Sequence, residues 1–288
     1  MMKGLILKNQ NGYFTIYGSE GALSLCRSRG RLKRRTDILV GDYVDFETGN
    51  SGETVITHVY PRKTVLYRPS SANIDQLVLV SAVRTPDLNL FLMDKMVVMA
   101  EEAGVEPLIV INKADLDEAG AEKAVTYYRK AGYSAFSLSL LHDEGLEKLT
   151  SALKGPIIAF SGPSGVGKST LAGTVEPGLD IRTGDISESH RKGRHTTTFS
   201  TMYPLSSGGY LIDTPGIKGF GLIDIADAEL WHYFPEMMRL APQCRFYNCT
   251  HVHEPGCAVR EAVERGEISW QRYESYLKML DDDDKYRK

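Results

Sequence analysis

Cysteine is scarce in this 288-residue chain: there are four, of which Cys26 stands alone and three crowd between Cys244 and Cys257. That distribution argues against a disulfide-stapled secreted fold and, in a reducing compartment, points to metal instead. Long hydrophobic runs are missing too. No segment approaches membrane-spanning length, and Met1 to Gln10 lacks the apolar core of a signal peptide, so a cytoplasmic protein with no membrane partner is expected. No sustained heptad seam is present, and a monomer is expected. Charge of one sign does not dominate, since the formal net charge is only -3.

What the total hides is asymmetry. Residues 1–66 hold ten Lys or Arg against six Asp or Glu, and the remainder is acidic. Short β-forming runs recur in this first segment, at Gly4 to Leu7, Tyr13 to Tyr17, Leu23 to Cys26, Tyr43 to Glu47 and Thr54 to Val59, separated by turn residues. Five short strands at that spacing predict a small closed β-barrel of OB type, with an SH3-like barrel as the alternative. Between two strands lie Arg27, Arg29, Arg31, Lys33, Arg34 and Arg35, six basic residues in nine. Such a single-signed loop on an otherwise acidic protein suits contact with RNA phosphates, although most charge runs are merely solvated. Tyr13, Phe14 and Tyr17 are candidates for base stacking or, more commonly, for core.

Beyond Pro69 apolar strands alternate with amphipathic helices, which predicts a parallel α/β sheet. Its strongest motif is Gly162-Pro163-Ser164-Gly165-Val166-Gly167-Lys168-Ser169, matching G-x-x-x-x-G-K-[ST] after the apolar Ile157 to Phe160 and before a helix opening at Thr170. Glycines let the loop turn its N–H groups toward phosphate, Lys168 supplies charge, and the Ser169 hydroxyl suits Mg²⁺. Asn112-Lys113-Ala114-Asp115 follows a buried strand and fits guanine recognition, because a carboxylate accepts from both N1–H and the exocyclic amine of that base. Tyr210 to Gly216 gives a strand ending in D-x-x-G, with Asp213 for Mg²⁺ and the Gly216 N–H for γ-phosphate. Asp117 to Gly120 matches D-x-x-G as well but lacks the strand, and is read as a turn. Between phosphate loop and Asp213 runs the polar stretch His195-Thr196-Thr197-Thr198, suited to a switch in which Thr196 or Thr197 completes the Mg²⁺ shell. The order is guanine motif, phosphate loop, Thr run, D-x-x-G, so the domain reads as circularly permuted.

In the last segment Cys244, Cys249, His251 and Cys257 place three thiols and an imidazole within fourteen residues. That donor set suits a structural Zn²⁺, with His253 as competitor for the imidazole position. Helices are expected over Leu230 to Leu240, Ala258 to Arg265 and Ile268 to Leu280. The ending Asp281 to Lys285 resembles a protease-cleavage tag but is read as a native, frayed tail.

Taken together, the motif order, barrel and Cys-Cys-His-Cys knuckle resemble the RsgA (YjeQ-type) family of ribosome small-subunit-dependent GTPases over nearly the whole length. The resemblance implies three domains: an OB-fold RNA-binding domain at 1–66, a permuted GTPase domain at 67–222, and a mainly helical zinc domain at 223–288. It also implies GTP bound by Asn112, Lys113, Asp115, Ser137, Ser139, the phosphate loop through Thr170, and Gly216. Stimulated hydrolysis on the small ribosomal subunit and its rRNA is the implied activity. Ile217 stands where many GTPases carry a water-orienting Gln, so slow intrinsic turnover is expected. Gly165 stands where some relatives carry a potassium-recruiting Asn. His195 is the candidate for orienting water, alongside Lys168 as catalytic cation. The alternatives are a nucleotide-gated RNA-binding scaffold with incidental hydrolysis and, more weakly, a P-loop kinase.

Overall fold

A computed structural model describes residues 2–10, 12–19, 21–28, 37–49, 52–67, 70–142, 144–179, 200–213 and 225–281. Five strands form the amino-terminal barrel: β1 (Met2–Gln10), β2 (Tyr13–Gly18), β3 (Leu23–Ser28), β4 (Tyr43–Thr48) and β5 (Thr54–Val59). Strand β1 pairs antiparallel with both β2 and β4, and β3 runs parallel to β5, so the pairing returns on itself in the OB manner. Strand alternation decides what fills it. Ile6, Phe14, Ile16, Cys26, Val44, Phe46 and Ile56 point inward, whereas Tyr13 and Tyr17 point out. Phe14 is therefore core and not a stacking surface. Cys26 is buried, and burial pushes its thiol up to about 11, as suits an inert core residue. Arg27 and Ser28 belong to β3, not to the loop expected there.

A short hairpin, β6 (Val65–Tyr67) and β7 (Ser70–Ala72), leads into the α/β unit. It contains β8 (Gln76–Ala82), α1 (Leu90–Glu102), β9 (Glu106–Asn112), α2 (Glu118–Ala131), β10 (Ser134–Ser137), α3 (Leu146–Ala152), β11 (Ile157–Ser161), α4 (Lys168–Val175), β12 (Thr201–Pro204) and β13 (Tyr210–Asp213). The parallel order is β10-β9-β8-β11-β13, with β12 antiparallel at the side nearest the barrel. Each central strand is apolar on both faces because both are covered. Leu77, Leu79, Ile109 and Ile111 pack under α1 and α2, while Val78, Val80, Leu108 and Val110 pack on the opposite side with Leu149, Leu171 and Ala172.

The chain runs outward from β8 to β10, then returns to place β11 on the other side of β8. Open α/β sheets bind ligands beyond the carboxyl ends of strands at such a reversal. Here the ends of β8, β9 and β11 meet there. Strand β1 also joins this sheet through Lys8 and Thr201, and its Leu5 and Leu7 pack with Met202 and Ile212. The barrel and the α/β unit thus share a strand's two faces.

The carboxyl-terminal unit comprises a tight turn of helix at Asp227–Tyr233, α5 (Pro235–Leu240), a further turn at Ala241–Gln243, α6 (Ala258–Glu264) and α7 (Trp270–Leu280). The single helix expected over Leu230 to Leu240 is broken. Phe234 is extended and Pro235 opens α5, because a residue before proline is forced out of helical geometry. Ile268, expected to begin the last helix, is buried in the core two residues ahead of it. No helix among the described residues is long and apolar enough to cross a membrane.

This unit docks on α1. Val98, Phe91 and Met99 join the cluster of Leu230, Phe234, Met237, Tyr276 and Met279. At its centre Arg272, almost wholly buried, bonds Asp94 of α1 and Glu236 of α5, each at 2.7 Å, and faces the Phe234 ring at 4.4 Å. Asp94 also accepts from the Tyr127 hydroxyl at 2.6 Å. Removing one partner from a buried ion pair leaves charge in low dielectric and costs roughly 3 to 5 kcal/mol. Arg272→Ala is expected to lower unfolding free energy by that order in urea titration, and adding Asp94→Asn and Glu236→Gln to recover part of the loss.

Candidate nucleotide site and cysteine-histidine cluster

Strand β11 ends at Ser161 and α4 begins at Lys168, so the glycine-rich loop sits between strand and helix as its motif requires. Two glycines are there by necessity. Gly162 has φ +151° and a Cβ would collide with the Val80 carbonyl; at Gly167, with φ +101°, it would collide with the Asn112 amide. The Lys168 ammonium folds back to donate to the carbonyls of Gly162 and Pro163, at 2.8 and 2.7 Å. Ser169 and Thr170 occupy the first turn of α4, half-buried and exposed respectively, and Ser164 is exposed on the loop.

Asn112, fully buried at the end of β9, donates to the Val166 carbonyl at 2.7 Å and accepts the Lys113 N–H at 2.7 Å. One side chain thereby joins the guanine-type motif to the phosphate-type loop. Lys113 adopts φ +59°, and its ammonium donates to the carbonyls of Gly165, at 2.8 Å, and Thr85. Asp115 is exposed and accepts the Ser139 hydroxyl at 2.5 Å. Ser139 is itself buried, exchanging backbone bonds with Glu144, while Ser137 is half-buried at the end of β10. Four segments distant in sequence therefore converge on one crevice. The contribution of Thr85, on the loop after β8, had no motif to announce it.

Asp117, expected in a turn, instead caps α2: its carboxylate accepts the Gly120 N–H at 2.9 Å and pairs with Arg84 at 3.0 Å. Of the six basic residues on the barrel only Arg27 is described. Its guanidinium lies 4.6 Å from the Tyr13 ring, donates to the Tyr13 hydroxyl and approaches Glu53 at 3.8 Å. Tyr17 meets Tyr210 edge to face at 6.5 Å. Arg29, Arg31, Lys33, Arg34, Arg35, His195, Thr196, Thr197, Thr198, Gly216 and Ile217 lie outside the described residues, as does the tail beyond Asp281, and Asp213 closes β13.

Cys244, Cys249, His251 and Cys257 bring their ligand atoms within 4.8 Å of one another. His251 Nδ1 lies 3.6 Å from Cys244 Sγ and 3.4 Å from Cys257 Sγ. Tetrahedral zinc, with Zn–S near 2.3 Å and Zn–N near 2.0 Å, requires edges of about 3.5 Å. The cluster is compatible with that ion. Burial pushes the Cys249 thiol up to about 12, so without a cation it stays neutral and wasted as a ligand. His253 is exposed and takes no part. The Tyr273 hydroxyl holds the His251 carbonyl at 2.7 Å, the Tyr276 hydroxyl holds that of Thr250 at 2.5 Å, and His251 itself takes φ +62°. These clamps come from α7, and spacing within the cysteine motif gave no sign of them.

Asn112→Ala would leave the buried Val166 carbonyl without its donor. A loss of about 1 to 3 kcal/mol is expected, read as a lower urea midpoint at unchanged slope.

A model of the RsgA GTPase family matches residues 59–223, and a model of the RsgA N-terminal domain matches residues 3–56. The chain is 42% identical over 307 residues to the small ribosomal subunit biogenesis GTPase RsgA of Bacteroides fragilis, with 99% of each chain covered. The same named protein of Caldanaerobacter subterraneus is 42% identical over 281 residues, covering 97% of this chain and 95% of its own. The crystal structure of YjeQ from Thermotoga maritima superposes with a TM-score of 0.83 at 36% identity, covering 98% of both chains. That of YloQ, a circularly permuted GTPase, gives 0.78 at 30% identity, covering 99% of this chain and 98% of its own. With the permuted order of the motifs around one crevice, these matches over both units establish that the chain belongs to the RsgA family of GTPases.

Proposed function

We propose that the protein hydrolyses GTP to GDP and phosphate during late maturation of the small ribosomal subunit, binding that particle and its rRNA and being stimulated by it. The observation that carries the reading is the Asn112 clasp, which sets a guanine-type loop beside a phosphate-type loop at 2.7 Å. The printed names of the full-length relatives support the ribosomal partner.

In this reading Asp115, oriented by Ser139, accepts from guanine N1–H and the exocyclic amine, and the Lys113 stem lies along the base. Ser137 supports the Ser139 loop. N–H groups of Gly162 and of residues 164 to 170, with that of Gly216, surround the phosphates, and Lys168 leaves its two carbonyl partners to bridge them. Ser169, Asp213 and Thr196 or Thr197 are the groups offered to Mg²⁺, which when bound offsets charge on the β- and γ-oxygens. Water attacks the γ-phosphorus and the bond to the β-bridging oxygen breaks. Ile217 cannot hold that water, and His195 is assigned the task.

Around this site we assign RNA contact to Arg27, Arg29, Arg31, Lys33, Arg34 and Arg35, and structural Zn²⁺ to Cys244, Cys249, His251 and Cys257. Units at 1–66, 67–222 and 223–288, a monomeric state and a cytoplasmic location complete the assignment. A separate apolar cluster inside the barrel, and one built mainly from the carboxyl-terminal helices where they meet α1, support the outer two units.

Hydrolysis should rise strongly with purified small subunits and not with large ones. Lys168→Ala should stay flat, and His195→Ala should lose the stimulation while still binding. Slow turnover under every condition would reject the ribosomal GTPase reading. The purified chain should carry one zinc, measured by mass spectrometry; chelation or Cys249→Ser should remove it and lower the thermal midpoint.

A further inference from the structure

The zinc-type cluster presents outward what a core would normally hide. Between Cys244 and Cys249 the chain turns through Arg245, Phe246, Tyr247 and Asn248, and Tyr247 is 100% exposed while Phe246 is 40% exposed. The Arg245 guanidinium lies 5.5 Å from the centre of the Phe246 ring. A fully solvated aromatic at a tight turn gains nothing for folding.

The turn is held at both ends. Cys249 donates its N–H to the Phe246 carbonyl at 3.3 Å, and Arg245 donates its own to the Gly256 carbonyl at 3.0 Å. The following loop is pinned just as firmly. Glu254 accepts from the Thr250 N–H and hydroxyl, at 2.8 and 2.6 Å, and from the N–H groups of Val252 and His253, at 3.1 and 3.2 Å. A preorganised aromatic loses little conformational freedom when a flat partner settles on it.

Charge narrows the partner. From Ala241 to Arg260 the only carboxylate is Glu254, and its oxygens are taken by those four donors. Arg245 and Arg260 are the remaining charged side chains on this segment, and His253 is exposed. An exposed ring beside a guanidinium that makes no ion pair among the described residues, on a rigid turn, matches the requirements of an unstacked nucleobase next to its phosphate.

We infer that the Arg245 to Asn248 turn is a base-stacking finger, in which Tyr247, flanked by Phe246 and Arg245, stacks on an unpaired base of RNA. This rests on the ribosomal reading and adds to it one named stacking residue, on the carboxyl-terminal unit. Because every base has a π face, the finger selects for an unpaired base and not for its identity.

Binding of the full chain to purified small subunits, by sedimentation, tests it with Tyr247→Ala, Phe246→Ala and Tyr247→Phe. Alanine at 247 should weaken binding roughly five- to hundredfold, phenylalanine should keep it, and zinc content and unstimulated turnover should not change in either. A photo-crosslinking phenylalanine analogue at position 247 should couple to rRNA. Affinity of Tyr247→Ala within twofold of the parent, an equal loss with Tyr247→Phe, or a crosslink into a ribosomal protein would each overturn the finger while leaving the ribosomal reading intact. Failure of the parent chain to bind small subunits would remove both.

Discussion

A single buried amide holds the nucleotide site together. Asn112 spends its N–H on the Val166 carbonyl and its oxygen on the Lys113 N–H, so the end of β9 and the loop after β11 cannot move independently. Two further features of the crevice follow from that clasp. Gly167 must be glycine because the amide occupies the space of a side chain, and Lys113 reaches the Gly165 carbonyl only because its own backbone is fixed beside the loop. A buried polar group that is fully partnered rigidifies its surroundings, and this one does so where two ligand moieties would meet.

Permutation leaves the crevice intact while altering what is attached to it. The β12–β13 hairpin joins the Thr run to D-x-x-G, and the same hairpin accepts the barrel through Lys8 and Thr201 and through Tyr17 against Tyr210. On the other side, the carboxyl-terminal unit rests on α1, whose preceding loop supplies the Thr85 carbonyl to Lys113. Both outer units therefore touch elements that lead directly to the crevice. Arg272 makes the second attachment costly to rearrange, since its charge has been taken out of water and is paired with Asp94 and Glu236 in this one packing.

Much of this is legible in the chain's own residues. Loops that contact phosphate or a base have narrow chemical requirements, so Gly162 to Ser169 and Asn112 to Asp115 announce themselves, and alternation in β2 and β3 announces a barrel. Legibility failed where a residue's role depends on a distant partner. Arg27 opens a run of basic residues with no strand signal of its own, yet pairing with β2 and β5 makes it strand and sets it on Tyr13. Asp117 carried a nucleotide-like spacing and became a helix cap.

Local chemistry is written in the chain: which loops can turn backbone N–H groups inward, which thiols and imidazole lie close enough to share an ion, and where proline breaks a helix. These follow from short-range sterics and from donor spacing within a few residues. It takes the packed molecule to show that Asn112 reaches Val166, that His251 and not His253 enters the cysteine cluster, and that Arg272 finds Asp94 178 residues away. Such pairings are set by the packing of whole elements, because hydrogen-bond geometry is satisfied only once the sheet and the helices on it have fixed their separations.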